Sequence, residues 1–292
     1  MAYSTTQINL NRGSNSMALP AELSREIWGV AAQESAVMQL ARPIALAGRG
    51  QSIPVITADA AASWTVETTE KHVSNPTVGL KTMTPYKLAC IELFSEELLR
   101  DIPALYDELV RRAPAAIAKT FDATVFNGTA PGTGFDVLTS STAVAIGTNT
   151  YAQLVTAMET IGTAGGTMDG VALAAQGKGL VYGAMGANAP IFVDPATGNI
   201  AGILGAKVVD AQQAYKSGTP NVVGFAGDWS LARYGIVDGI NISVSREATV
   251  NDGTNQINLW QRNMVGIRIE AELGFVVANG SAFVKLTDAA SS

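Results

Sequence analysis

Histidine and cysteine are almost missing: His72 and Cys90 are the sole examples in 292 residues. A zinc site drawn from His and Cys lacks ligands, and a Ser-His-Asp triad has only His72 to use. One thiol cannot close an intrachain disulfide, so nothing calls for an oxidising compartment. Charge is scarce as well, with Asp, Glu, Lys and Arg at 15%, against roughly 25% in ordinary soluble domains. No uninterrupted apolar run reaches the roughly 18 residues of a spanning helix. The opening stretch MAYSTTQINLNRGSNSM carries no apolar core of a secretion signal. Lysine and arginine never cluster beyond Arg111-Arg112, and the net charge is −6; a dedicated nucleic-acid binder carries a basic footprint instead. No Gly-x-Ser-x-Gly elbow is present either. These absences lead us to expect no catalytic residue, no metal site, no cofactor and no membrane partner.

What is present is apolar material, 47% of the chain, with 29 glycines. That excludes disorder, and so few charges imply a surface finished by partners. Residues 1–19 read as a polar arm ordered by contact. Pro20 followed by Leu23, Ile27, Val30 and Ala31 predicts a helix over about 21–38. The period then changes: Ile53–Ile56, Trp64–Glu67 and Leu88–Leu93 are expected as strands, with a polar hairpin from Glu67 to Pro85 between them. A two-stranded ribbon with little apolar content of its own is marginal in water and should lie on something else.

Asp101 and Pro103 open a long helix expected at 102–126, about 37 Å at 1.5 Å per residue, ended by Asn127-Gly128. Leu105, Tyr106, Leu109, Val110, Ala113, Ala116, Ile117 and Phe121 fill one arc. Asp107, Glu108, Arg111, Arg112, Lys119 and Asp122 fill the other. Asp107–Arg111 and Glu108–Arg112 stand four apart with the acid first, the favourable order. The phase holds across Pro114, which predicts one kinked helix. Residues 140–231 alternate strands and helices as an α/β insertion. After Gly227-Asp228-Trp229, alternation of Ile240, Ile242 and Val244, then Val265 to Leu273, predicts half-buried strands of one antiparallel sheet, with Phe283–Leu286 as its last strand.

Gly177-Lys178 is not a phosphate loop, because Ala172 and Gly179 stand where Gly and Ser/Thr are needed. His72 reads as a solvent-facing loop residue and Cys90 as a small core residue. Glu96/Glu97 and Glu270/Glu272 read as solvated faces. Trp64 and Glu67, on a ribbon without its own core, read as contacts to a neighbouring subunit.

The order of these parts resembles the major capsid proteins of tailed bacteriophages, in the Hong Kong 97-type capsid fold. The carriers are Ile53-Pro54-Val55, Trp64 and Glu67, Thr84-Pro85-x-Lys87-Leu88-Ala89, Phe94-Ser95-Glu96-Glu97-Leu98-Leu99-x-Asp101, Gly227-Asp228-Trp229-Ser230 and Ser281-Ala282-Phe283-Val284. The resemblance covers about 17–287. It implies an α+β chain with an N-terminal arm and helix (1–35), an extended E-loop hairpin (50–90) and an α/β A-domain (140–231). A P-domain of 36–49, 91–139 and 232–292 would place the long spine helix 102–126 on an antiparallel sheet. Trp64, Glu67, Lys71 and Lys81 would be E-loop contacts between subunits, Pro114 the spine-helix kink, and Asp107, Glu108, Arg111 and Arg112 its charged face. Some relatives cross-link an E-loop lysine to a neighbour's asparagine; that chemistry is not carried over, since no partner asparagine is identified. The implied function is a shell protein that assembles with itself, as hexamers and pentamers, into an icosahedral capsid around double-stranded DNA contacted non-specifically. Portal and decoration proteins are implied partners. The arm starts near Met1, so a separate scaffolding protein, or none, is expected rather than a cleaved leading segment. Assembly is expected in the host cytoplasm, with the protein ending in the virion. An encapsulin-like compartment around a cargo enzyme is the alternative with the same fold.

Overall fold

The computed structural model describes residues 35–58, 61–75, 77–97, 103–184, 191–193, 200, 202–251, 253 and 255–288. The expected arm and most of the helix at 21–38 lie outside this set. So do the side chains of Pro114 and of Asp107, Glu108, Arg111 and Arg112. Contacts divide the chain into a smaller unit (Met1–Val30, Lys87–Ile117, Asp238–Ala271) and a larger one (Ala31–Tyr86, Ala118–Val237, Glu272–Ser292).

Helices α1 (Ala36–Leu40), α2 (Pro103–Asn127), α3 (Thr150–Thr163) and α4 (Ala175–Tyr182) alternate with thirteen strands among the described residues. In chain order the strands are β1 (Arg42–Ala45), β2 (Gln51–Ala58), β3 (Thr77–Met83), β4 (Tyr86–Ser95), β5 (Thr142–Ala145), β6 (Gly170–Leu173), β7 (Lys207–Asp210), β8 (Val222–Gly227), β9 (Ala232–Ser245), β10 (Thr249–Asn251), β11 (Gln256–Asn258), β12 (Met264–Val277) and β13 (Phe283–Thr287). The chain is a mixed α+β fold.

The larger unit is built on a five-stranded sheet of order β5-β13-β8-β6-β7. Strand β13 runs parallel to β5 and antiparallel to β8, and β6 runs antiparallel to β8 and parallel to β7. One core gathers Val171 and Leu173 of β6 and Val284 and Leu286 of β13 with Leu154, Ala157 and Ile161 of α3 and Val181 of α4. The three α3 residues are spaced three and four apart, the spacing of one helix face. A second core is aromatic. Phe126 of α2 stacks on Phe225 at 5.2 Å, Trp229 meets Phe283 edge-on at 5.3 Å, and Phe121 meets Phe135 and Phe275 edge-on. The segment after α2 is drawn in by backbone bonds from Leu138 to Val125 and from Asp136 to Phe275.

A second sheet has the order β1-β9-β12-β4. In the larger unit β1 pairs parallel with the start of β9, Arg42 opposite Arg233. In the smaller unit Ile240 and Ile242 are buried, as are Val265, Ile267, Ile269 and Ala271. The polar positions between them are used: Glu270 pairs with Lys87 at 3.9 Å and with Arg268 at 3.4 Å, and Arg268 donates to Ser243.

Three expectations are corrected. Ser35 is extended and caps α1, so a helix over 21–38 cannot run through it; its hydroxyl takes the Met38 amide, a local alternative to helix continuation. Phe283–Leu286 does not close the sheet of β9 and β12 but joins the five-stranded sheet between β5 and β8. The strand is buried on both faces, and its apolar run carries no record of which strand lies beside it. Trp64–Glu67 is not a strand: residues 61–66 are irregular and a turn follows at 67–69.

Candidate functional site

Five of the exposed large apolar residues, Trp64, Val66, Val73, Val78 and Leu80, lie on the ribbon that β2, β3 and their connection form. These strands pair antiparallel, with Ile53 opposite Lys81, Pro54 opposite Leu80, and Ile56 opposite Val78. Period-2 alternation splits the pair into two faces. Ile53, buried, joins Met83, Leu46 and Val276 in a small cluster. Leu80 and Val78 are 75% and 63% exposed.

Beyond the strands, Ala61 donates to Ser74 Oγ at 2.7 Å, one tie across the ribbon. The Thr69 amide and hydroxyl both donate to the Val66 carbonyl, and Thr68 takes φ 72° to make that turn. Trp64 is 103% exposed, and Val66 and Val73 are exposed as well. Five large apolar side chains on one ribbon face water, an arrangement monomers avoid and interfaces use. Glu67, Lys71 and His72 stand exposed among them.

Lys81, expected at a contact between subunits, is engaged within its own chain. Its Nζ lies 2.6 Å from Asp136 Oδ2 and donates to the Val277 carbonyl at 2.7 Å, while the Val277 amide donates to the same carboxylate oxygen at 2.8 Å. The Thr84 amide donates to the Gly134 carbonyl, and Gly134 has φ +82° with no room for a side chain beside Thr84. These bonds tie the ribbon's root to the body. The narrow cleft there, lined by Ile53, Val55, Lys81, Arg233 and Val276 among others, encloses about 20 Å³, room for one water molecule.

A second surface surrounds α3. This helix has one charged residue, Glu159, in fourteen. The hydroxyls of Thr156, Thr160 and Thr163 donate to carbonyls four residues back. Tyr151 and Met158 are exposed beside Ile191, and Tyr151 stacks on Phe192 at 5.8 Å. In the smaller unit Trp260 is 73% exposed in the turn that follows β11. Sequence reading passed over both surfaces, although the lack of charge in Thr150–Thr163 was visible.

The Gly227-Asp228-Trp229-Ser230 motif is a structural knot. Asp228 accepts from the Ser230 amide and hydroxyl and from the Thr167 amide; Asp169 accepts from the Trp229 and Ser230 amides. Trp229 Nε1 donates to the Gly170 carbonyl at 3.0 Å. Cys90 is half-buried rather than a core residue, and burial together with Glu92 pushes its thiol up, away from the reactive thiolate. Among the described residues no group of three His, Cys, Asp or Glu could hold a metal ion, and no helix is long and apolar enough to cross a membrane.

Asp122, expected on the polar arc of the long helix, is 2% exposed. Neighbours Ala118, Phe121 and Val125 are buried too, whereas Ala116, placed on the apolar arc, is exposed. The Asp122 carboxylate accepts from the Ser35 hydroxyl at 2.5 Å, the Ala36 amide at 2.7 Å and the Val37 amide at 3.4 Å. Burial pushes its carboxyl up from the ordinary 3.8 to about 6, against the opposing pull of these three donors. A carboxyl harder to ionise folded than unfolded costs stability when charged. The cost is full above pH 6, shrinks as pH falls through 6, and is gone below 3.8. That gap corresponds to about 3 kcal/mol. Wild type is expected to gain stability relative to Asp122→Asn between about pH 7.5 and 4.5, read from urea midpoints. Equal pH slopes for the two proteins would exclude a raised carboxyl.

The family model described as the phage capsid family matches residues 15–288, and the chain belongs to that family. It is 30% identical to the probable major capsid protein gp17 of Mycobacterium phage D29, over 94% of this chain and 91% of that one. To the probable major capsid protein gp17 of Mycobacterium phage L5 it is 31% identical, over 92% and 89%. Among solved structures, a chain from Gordonia phage Cozz superposes with a TM-score of 0.71 at 20% identity, covering 99% of this chain and 92% of that one. A capsid chain of a native GTA particle, computed with C5 symmetry, gives 0.66 at 15% identity over 99% and 96%.

Proposed function

We propose that this chain is the major capsid subunit of a tailed-phage head, many copies of which close as hexamers and pentamers into an icosahedral shell around double-stranded DNA. The observation that carries the reading is the ribbon, whose exposed Trp64, Val66, Val73, Val78 and Leu80 have no partner surface in an isolated subunit. In Hong Kong 97-type terms the ribbon is the E-loop, within 50–90, and α2 is the spine helix with Pro114 at its bend and Asp107, Glu108, Arg111 and Arg112 on its charged face. Residues 1–35 are the N-terminal arm, 140–231 the A-domain, and 36–49, 91–139 and 232–292 the P-domain. Trp64, Glu67 and Lys71 are the E-loop contacts to a neighbour, and Lys81 secures the loop's root. The net charge of −6 suits a wall that lets DNA slide rather than one that pins it. A separate scaffolding protein, a portal and a decoration protein are the further partners, with assembly in the host cytoplasm and residence in the virion.

The purified protein at moderate concentration is expected to form shells, tubes or capsomers in negative-stain micrographs. Sedimentation as a stable 30.3 kDa monomer at every salt concentration would overturn the reading.

A further inference from the structure

We propose that Asp122 and Ser35 form a latch that fixes the point and direction from which the N-terminal arm leaves the body, and so aims the arm at a neighbouring copy. The aim at a neighbour rests on the shell reading; the latch does not. Position 122 lies among buried apolar residues of α2, where a leucine or alanine would fit the local pattern. An acid stands there instead, and its three donors all come from the three consecutive residues 35–37, more than eighty positions away in sequence.

Apolar packing alone tolerates sliding and rotation, whereas three directional bonds to one carboxylate specify a single pose. Ser35 does double duty. Its hydroxyl donates to Asp122 while its oxygen accepts the Met38 amide at 3.1 Å, so the cap of α1 and the bond to α2 share one side chain. Ala36, Val37 and Met38 are buried beneath it. On the other side of this five-residue helix, β1 pairs in register with β9. The segment from Ser35 to Ala45 is thereby held at both ends.

The test compares wild type, Asp122→Ala, Ser35→Ala and the double variant by amide hydrogen exchange, with micrographs of the particles each forms. Asp122→Ala is expected to speed exchange of the 36–38 amides by about tenfold or more, while β6 and β8 keep wild-type protection. Ser35→Ala, which leaves the backbone donors on the carboxylate, is expected to do less. At the 36 and 37 amides the double variant should exchange no faster than Asp122→Ala alone, because there the two groups act as one, whereas the 38 amide loses the Ser35 oxygen as well. The aim predicts shells of mixed size, tubes or open sheets from Asp122→Ala. Unchanged exchange at 36 and 37 in Asp122→Ala, or additive effects at these two amides in the double variant, overturns the latch. If Asp122→Ala does not fold, wild-type exchange at 36–38 in Ser35→Ala overturns it equally. Faster exchange with particles of wild-type size and yield overturns the aim. No particles from the wild type itself overturns the shell reading and the aim with it, while exchange still decides the latch.

Discussion

Trp229→Ala is expected to destabilise the larger unit by about 3–5 kcal/mol, the range for removing a large aromatic from a closed core. Trp229 is 1% exposed, edge-on to both Phe126 and Phe283, and bonded to the Gly170 carbonyl. The site has little room to relax. A side-chain carbon on Gly170 would come within 2.6 Å of the indole, and Asp169 and Asp228 hold the backbone on both sides of it. Truncation therefore leaves a cavity lined by aromatic rings and an orphaned carbonyl. The melting temperature should fall by roughly 10 °C, with shells lost at temperatures where wild type keeps them. A drop of only a degree or two would show that the aromatic core collapses around the gap.

Replacing residues 57–77 by Asn-Gly is expected to do the opposite, leaving the subunit stable and abolishing closed particles. The register allows the cut. Ile56 lies opposite Val78, so a two-residue turn can close the ribbon there. Ile53, Met83 and the Lys81–Asp136 pair remain, and they are what ties the ribbon to the body. Trp64, Val66, Glu67, Lys71 and Val73 go, and each is exposed, so the melting temperature should stay within a few degrees of wild type. Closed shells of normal size from this variant would mean that the ribbon is not the clamp between subunits.

These outcomes also separate what the linear chain reveals from what it hides. One histidine, one cysteine, a low charge fraction and no spanning run bear on chemistry, and they can be counted without a fold. The long helix was legible almost to the residue, expected at 102–126 and found at Pro103–Asn127, because proline at its start, Asn127-Gly128 at its end and a 3.6-residue period are all local signals. Alternation in β12 told which residues are buried for the same reason, and in β9 it held for Ile240 and Ile242 but not for Val244, which is half-buried. Partner choice is not local. The short apolar run Phe283–Leu286 is equally compatible with either sheet, and only the tertiary structure seats it between β5 and β8. Trp64–Glu67 has strand-forming residues but no strand to pair with, so propensity alone could not make it one. Asp122 is the sharpest case. Its helical phase and its charge both point outward, and a buried carboxylate is costly by itself. What offsets part of that cost is the hydroxyl of Ser35 and two amides brought from a distant stretch of chain. Periodicity assigns a residue to a face, but whether that face meets water or three hydrogen-bond donors is decided only when remote segments fold together.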